Sequence, residues 1–190
     1  MARPLTKKHE VMDAALTLFM RKGIKATTTR DIALRAGISE GTIYRHFESK
    51  EDLAESIFET NLQYFSRFLK GYLKNTSGPE EMLRAFVEGF FEFSRREQRR
   101  YGFIMAAHQT ELKKLSREKM KPKQMLTKIL RLGQAKGVFR KMNLRLAGAM
   151  VWGTIMQTIF YQKSGRIPVS YERVVREVSD TCLRMVKKNP

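Results

Sequence analysis

The chain has one cysteine, Cys182, so no disulfide can form within it. Its three histidines, His9, His46 and His108, lie far apart in sequence and form no cluster with metal-ligand spacing. No metal and no cofactor is therefore expected. No run approaches the roughly 20 apolar residues of a membrane span. The basic start, Met1 to Lys8, has no apolar stretch behind it, so it does not read as a secretory signal. A cytoplasmic location without a membrane partner is the expectation. Strand signals are scarce as well: there is no sustained alternation and no Asn-Gly or Asp-Gly hairpin turn. Missing too are a phosphate-cradling glycine loop, a nucleophile–base pairing and paired catalytic carboxylates, so no catalytic residue is nominated and an enzyme is not expected.

Acidic residues are also in short supply. Nineteen Asp and Glu face 37 Lys and Arg, for a net charge of +18, which suits a polyanionic partner. The excess is uneven: +5 over residues 1–50, −4 over 51–94, +13 over 95–145 and +4 over 146–190. Three readings of the +13 segment stay open. It can be a solvated surface drawing DNA from a distance, the mouth of a pocket for an anionic ligand, or a surface for RNA or membrane.

What remains throughout is helical periodicity, which predicts an all-α fold of about nine helices. Val11, Ala14, Ala15, Leu18 and Phe19 share one face of a first helix, about Lys7 to Lys22, with Gly23 suited to the left-handed position beyond it. Thr28 and Asp31 form a capping box for a short helix to Ala36. Ser39 caps another through about His46, and Ser49 a long one to about Leu73. Pro79, Glu80 and Glu81 open the next. Later helices are predicted from about Tyr101, through Lys136, from Asn143 to Gln162, and from Ser170 to Lys187.

The informative segment is Thr27 to Leu53. Two short helices joined by Ala36-Gly37-Ile38-Ser39 match the helix-turn-helix plan, whose second helix enters the major groove. Ile32, Ala33, Ala36, Ile38, Ile43 and Phe47 supply the inner face. Ser39, Gly41 and Thr42 keep the second helix's start small, and Tyr44, Arg45 and His46 offer groups for base edges and phosphates. The run from Thr27 to Phe47, followed by Ser49-Lys-Glu-Asp-Leu53, resembles the DNA-binding domain of the TetR family of bacterial regulators. The upstream Ala14 to Phe19 and Gly23 fit it too, and the resemblance covers about residues 6 to 58.

That resemblance implies a DNA-binding domain over 1–50 and a helical effector-binding and dimerisation domain over 51–190, connected by the helix at about 50–73. It implies double-stranded operator DNA as partner, met by Thr28, Ser39, Gly41, Thr42, Tyr44, Arg45, His46 and Lys50. Thr28, Ser39 and Ser49 read equally as helix caps. The family often holds a small-molecule effector among its middle helices. Residues nominated for such a pocket are Tyr64, Phe65, Phe68, Phe86, Phe90, Phe93, Tyr101, Met105, His108, Met125, Ile129 and Met150, although for the aromatic series plain domain core is the safer reading. The family also pairs through its last two helices, which nominates Ala147, Val151, Thr154, Val174, Val178, Cys182 and Met185 for a homodimer interface. The function implied is a regulator, in the repressor sense, released by a small hydrophobic or anionic effector. The alternative is a constitutive, nucleoid-type DNA binder without an effector.

Overall fold

A computed structural model describes residues 7–106 and 121–188. Nine helices lie among the described residues: α1 (Lys7–Lys22), α2 (Thr29–Ala36), α3 (Glu40–Tyr44), α4 (Lys50–Leu73), α5 (Pro79–Arg96), α6 (Gln98–Ala106), α7 (Lys121–Ala135), α8 (Leu144–Lys163) and α9 (Tyr171–Val186). They contain no strand; one isolated bridge pairs Phe139 with Lys187. No described helix is long and apolar enough to cross a membrane. The all-α expectation holds.

By packing, the described residues fall into two units, 7–63 with 97–106, and 64–96 with 121–188. The boundary expected from sequence, at 50/51, falls at the start of α4. The packing boundary instead falls within α4.

The first unit is built on α1. Val11, Ala15, Leu18 and Phe19 are buried, α1 packs on α2 with its buried Ile32 and Ala33, and Ile43, Phe47, Leu53, Ile57 and Phe58 are buried in the same unit. α6 joins this unit through Phe103, whose ring lies 6.2 Å from that of Phe19. Polar contacts fasten the same helix. Arg99 donates to Asp13 and to the Thr17 hydroxyl, and Arg100 donates to Asn61 Oδ1 of α4 at 2.5 Å.

In the second unit, Phe65, Phe86, Phe90 and Phe93 are fully buried. Burying a side chain of this size contributes about 1.5–3 kcal/mol. α5 supplies three of these rings on its inner face, and its other end is tied to α8 and α9. Lys163 donates to the Ser94 carbonyl at 3.0 Å, and Tyr171 donates to Glu92 Oε2 at 3.1 Å. Gly133 is a glycine of necessity, because any side-chain carbon there would overlap the ring of Phe139.

Candidate nucleic-acid interface

The turn between α2 and α3 is set by Gly37, whose φ of 65° lies in the left-handed region, where a side chain would be strained. At the other end of α2, Thr28 and Asp31 form the expected capping box. Thr28 Oγ1 accepts from the Asp31 amide at 3.1 Å, and the Asp31 carboxylate accepts from the Thr28 amide and hydroxyl. Lys22 of α1 adds an ion pair of 2.7 Å to the same carboxylate. Hydrogen bonding from Lys22, then from Thr28, holds the Asp31 carboxyl far below the usual range. The two short helices are fastened to each other by Thr29, whose hydroxyl donates to Glu40 at 2.7 Å. Sequence reasoning missed this link, because nothing local marks a pair eleven residues apart.

Beyond this scaffold the nominated residues take different places. Tyr44 is 55% exposed, and Arg45, His46, Ser39 and Gly41 are also on the surface. α3 ends at Tyr44, two residues earlier than expected, and Arg45 and His46 follow in a turn. Gly41 has an ordinary backbone, and a Cβ there would meet only Ser39 Oγ at 3.9 Å, so internal packing does not require glycine. Lys50 opens α4 and reaches the Lys25 carbonyl at 3.3 Å.

Two expectations need correcting. Ser39 makes no side-chain cap to α3; its hydroxyl pairs with that of Thr42 at 3.0 Å instead. Thr42 is turned inward, only 9% exposed, and its hydroxyl accepts from Arg45 Nη2 at 3.0 Å. Its place is behind Arg45 because the helix period that exposes Tyr44 and Arg45 puts Thr42 and Ile43 on the inner face. The Thr28 hydroxyl likewise has its proton engaged by Asp31.

The residues nominated for an effector pocket fall in both units. Tyr101 and Met105 lie on α6 in the first unit, and Met150 is on the outer surface of α8. His108 lies outside the described residues. Phe65 stacks on Phe93 at 4.1 Å and meets Phe90 edge-on at 4.9 Å, while Phe68 meets Phe93 at 5.4 Å. Ile129 is buried, and Tyr64, Phe68 and Met125 are half-buried. This is the packing of a filled aromatic core. An open groove of about 380 Å³ lies elsewhere, between α7 and α8, lined by residues that were not nominated, among them Lys123, Arg145 and Trp152.

The residues nominated for a dimer interface are largely covered within the single chain. Ala147, Val151, Val174, Val178 and Cys182 are already buried within the single chain, and Thr154 and Met185 are half-buried. Spacings of three and four identify a buried face without saying what buries it, and here α9 packs on α5 and α8. Of these last two helices, α8 keeps large apolar side chains outward. Leu146, Met150 and Phe160 are exposed there, with Ala149 and Gly153 on the same face.

The arginines from Arg95 to Arg100 all pair within the chain while staying part-exposed. Arg95 and Arg96 both pair with Glu92, which is only 8% exposed, while Arg99 pairs with Asp13 and Arg100 with Glu97 and Asn61. Part of the +13 segment therefore serves the fold.

Comparison with known proteins agrees with the helix-turn-helix. Residues 11–57 match the family described as bacterial regulatory proteins, tetR family. A transcriptional repressor, KstR2 of Mycolicibacterium smegmatis, is 30% identical over 184 residues, 91% of this chain and 87% of the relative. Among solved structures, a tetR family regulator from Shewanella sp. PV-4 superposes with a TM-score of 0.85 at 19% identity, over 97% of this chain and all of that one. FadR of Bacillus subtilis, solved in complex with stearoyl-CoA, superposes with a TM-score of 0.74 at 24% identity, over 93% and 96% of the two chains.

Proposed function

This chain belongs to the TetR family of bacterial regulatory proteins, and from that premise we propose that it represses transcription as an effector-released homodimer on a pseudo-palindromic operator. It is a transcriptional regulator of the TetR type. The finer reading rests on one observation above the rest. Tyr44, Arg45 and His46 project from a scaffold locked by Gly37, the Thr28–Asp31 box and the Thr29–Glu40 bond, and Gly41 beside them answers no need of the chain's own packing. A glycine costs a helix about 1 kcal/mol relative to alanine. Close approach of this backbone to DNA is the compensating gain.

In this reading Arg45 and His46 read base edges or phosphates, Tyr44 packs on the backbone, and Lys50 and Ser39 hold phosphates. Thr42 orients Arg45, and Thr28 caps α2, reaching phosphate only by turning its hydroxyl away from Asp31. The outward face of α8 meets its counterpart in a second copy. A standard interface buries about 800 Å² per partner, and two-fold symmetry then sets the reading heads roughly 34 Å apart, or a multiple of that.

The effector reading takes support from the fatty acid metabolism regulator of Bacillus subtilis, 25% identical over 80% of this chain, and FadR of that organism is solved with stearoyl-CoA. A small hydrophobic or anionic molecule fits the uneven charge of this chain. Whatever weakens operator binding must itself bind more weakly to the operator complex, by the same factor. The regulator would work in the cytoplasm. The test is footprinting of the promoter beside the chain's own gene, with and without candidate effectors. Protection of a two-fold site that one compound relieves is expected, and no protected site overturns the proposal. The second reading, a constitutive basic DNA binder, draws on the filled aromatic core and the charge of +18. It predicts protection without sequence preference.

A further inference from the structure

Glu40 and Tyr44 stand four residues apart on α3, so their side chains leave the helix on one face. Both are exposed, as are Gly41 and Arg45 beside them, whereas Thr42 and Ile43 form the buried side. The face that meets DNA in the proposed reading therefore carries a carboxylate. From Thr29 to Tyr44 the helix-turn-helix has two acidic residues, Asp31 and Glu40. Asp31 is matched by the Lys22 ammonium at 2.7 Å and caps α2. Glu40 is held differently. It accepts from the half-buried Thr29 of α2 at 2.7 Å, and a neutral hydroxyl fixes the carboxylate without cancelling its charge.

A carboxylate on this face opposes what the rest of the chain favours. Phosphates dominate the affinity of a basic protein for DNA, and a net charge of +18 draws this chain to any duplex. A negative group at the contact face disfavours every complex in which it meets only a phosphate or a base acceptor. It is accommodated where an exocyclic amino group donates to it, and in the major groove cytosine N4 suits a carboxylate. Specificity is a difference between two affinities, so repulsion from wrong sites widens it as attraction to the right one does. A carboxylate in the first turn also suits the dipole of α3. That benefit needs no fixed orientation, and the tether to a second helix supplies one.

We propose that Glu40 is a specificity-determining residue for DNA and that Thr29 is its positioning residue. The carboxylate accepts from the amino group of one cytosine in each half-site and penalises duplexes that place an acceptor there. The inference rests on the reading of DNA by α3 and adds to it a repulsive element that Tyr44, Arg45 and His46 do not supply.

The test is fluorescence anisotropy at fixed salt with the full chain and its Glu40→Gln, Thr29→Val and Thr29→Ser variants. The duplexes are the footprinted operator, a random duplex, and operators in which each symmetric pair of cytosines is replaced by thymine. That replacement exchanges an amino donor for a carbonyl acceptor at one place in the groove. An operator with 5-methylcytosine, which adds the same methyl and keeps the amino group, is the control. For the parent, one thymine pair should cost about ten-fold or more, and 5-methylcytosine much less. Glutamine donates as well as accepts, so Glu40→Gln should lose most of that discrimination and should bind the random duplex several-fold more tightly. Thr29→Val should lose part of the discrimination while the charge stays, and Thr29→Ser should behave as the parent. Circular dichroism and the thermal midpoint serve as folding controls.

No cytosine that matters more to the parent than to Glu40→Gln would overturn the inference. So would 5-methylcytosine costing as much as thymine, or Glu40→Gln leaving the random-duplex affinity unchanged. Equal losses on operator and random duplex in Glu40→Gln and Thr29→Val, with a lower thermal midpoint, would make the bond a fold contact only and would also overturn it. A parent that binds operator and random duplex alike is a separate failure, because the reading of DNA by sequence then falls first.

Discussion

Arg45 donates through Nη2 to the Thr42 hydroxyl at 3.0 Å, and that hydroxyl pairs in turn with Ser39 Oγ at the same distance. The exposed Arg45 is thus hydrogen-bonded to a side chain that is itself buried. Arg45→Ala should lower operator affinity about ten- to a hundred-fold and leave the thermal midpoint nearly unchanged. Thr42→Val, which keeps the shape but removes the acceptor, should lose affinity by several-fold. Fluorescence anisotropy with labelled operator checks both. Thr42→Val binding as well as the parent would show that the hydrogen bond does not aim Arg45.

The outward face of α8 carries Leu146, Met150 and Phe160, with Phe160 56% exposed. Replacing Met150 and Phe160 together by Glu should give a folded monomer by sedimentation, and operator affinity should fall at least a hundred-fold, because two half-sites are no longer engaged at once. A variant that stays dimeric would move the interface off this face.

Glu92 gives the second unit a dependence on acid. Hydrogen bonds from Arg95 first, opposed by burial and then aided by Arg96 and Tyr171, hold its carboxyl down at about 2. A depressed carboxyl contributes stability above its unfolded value, near 4.5, and loses that contribution as pH falls toward about 2. The thermal midpoint should therefore hold between pH 7 and 5 and drop below 4.5. Glu92→Gln should be less stable at pH 7 and should flatten part of that acid limb. An acid limb identical to the parent's would assign the loss to other carboxylates, such as Asp31.

Cys182 is fully buried, and burial pushes its thiol up to about 12. A thiol held protonated and out of reach of solvent is a poor nucleophile. The native chain should react with a disulfide-exchange reagent no faster than it unfolds, and at once in denaturant. Rapid labelling of the native chain would mean that α9 leaves its seat on α5.

Local chemistry made much of this legible in sequence. The Thr28–Asp31 box, Gly37, Pro79 and the Asn143 and Ser170 caps are all set by neighbours within a few residues, and all are found where they were expected. What sequence left open was the identity of whatever covers a face. Val174, Val178 and Cys182 carry a stripe that suits a partner helix in another chain as well as one in their own. Phe65, Phe90 and Phe93 have the spacing of a cavity wall and of a filled core alike. Arg99 meets Asp13 across 86 residues, a contact no local pattern announces.

Paired heads that read DNA by sequence must discriminate between duplexes and act two at a time. Competition at physiological salt between the footprinted duplex and a random duplex of equal length, with stoichiometry measured in the same solution, tests this most directly. The prediction is two chains per duplex and a preference of about a thousand-fold or more for the footprinted site. Equal affinity for both duplexes, or one chain per site, would contradict it.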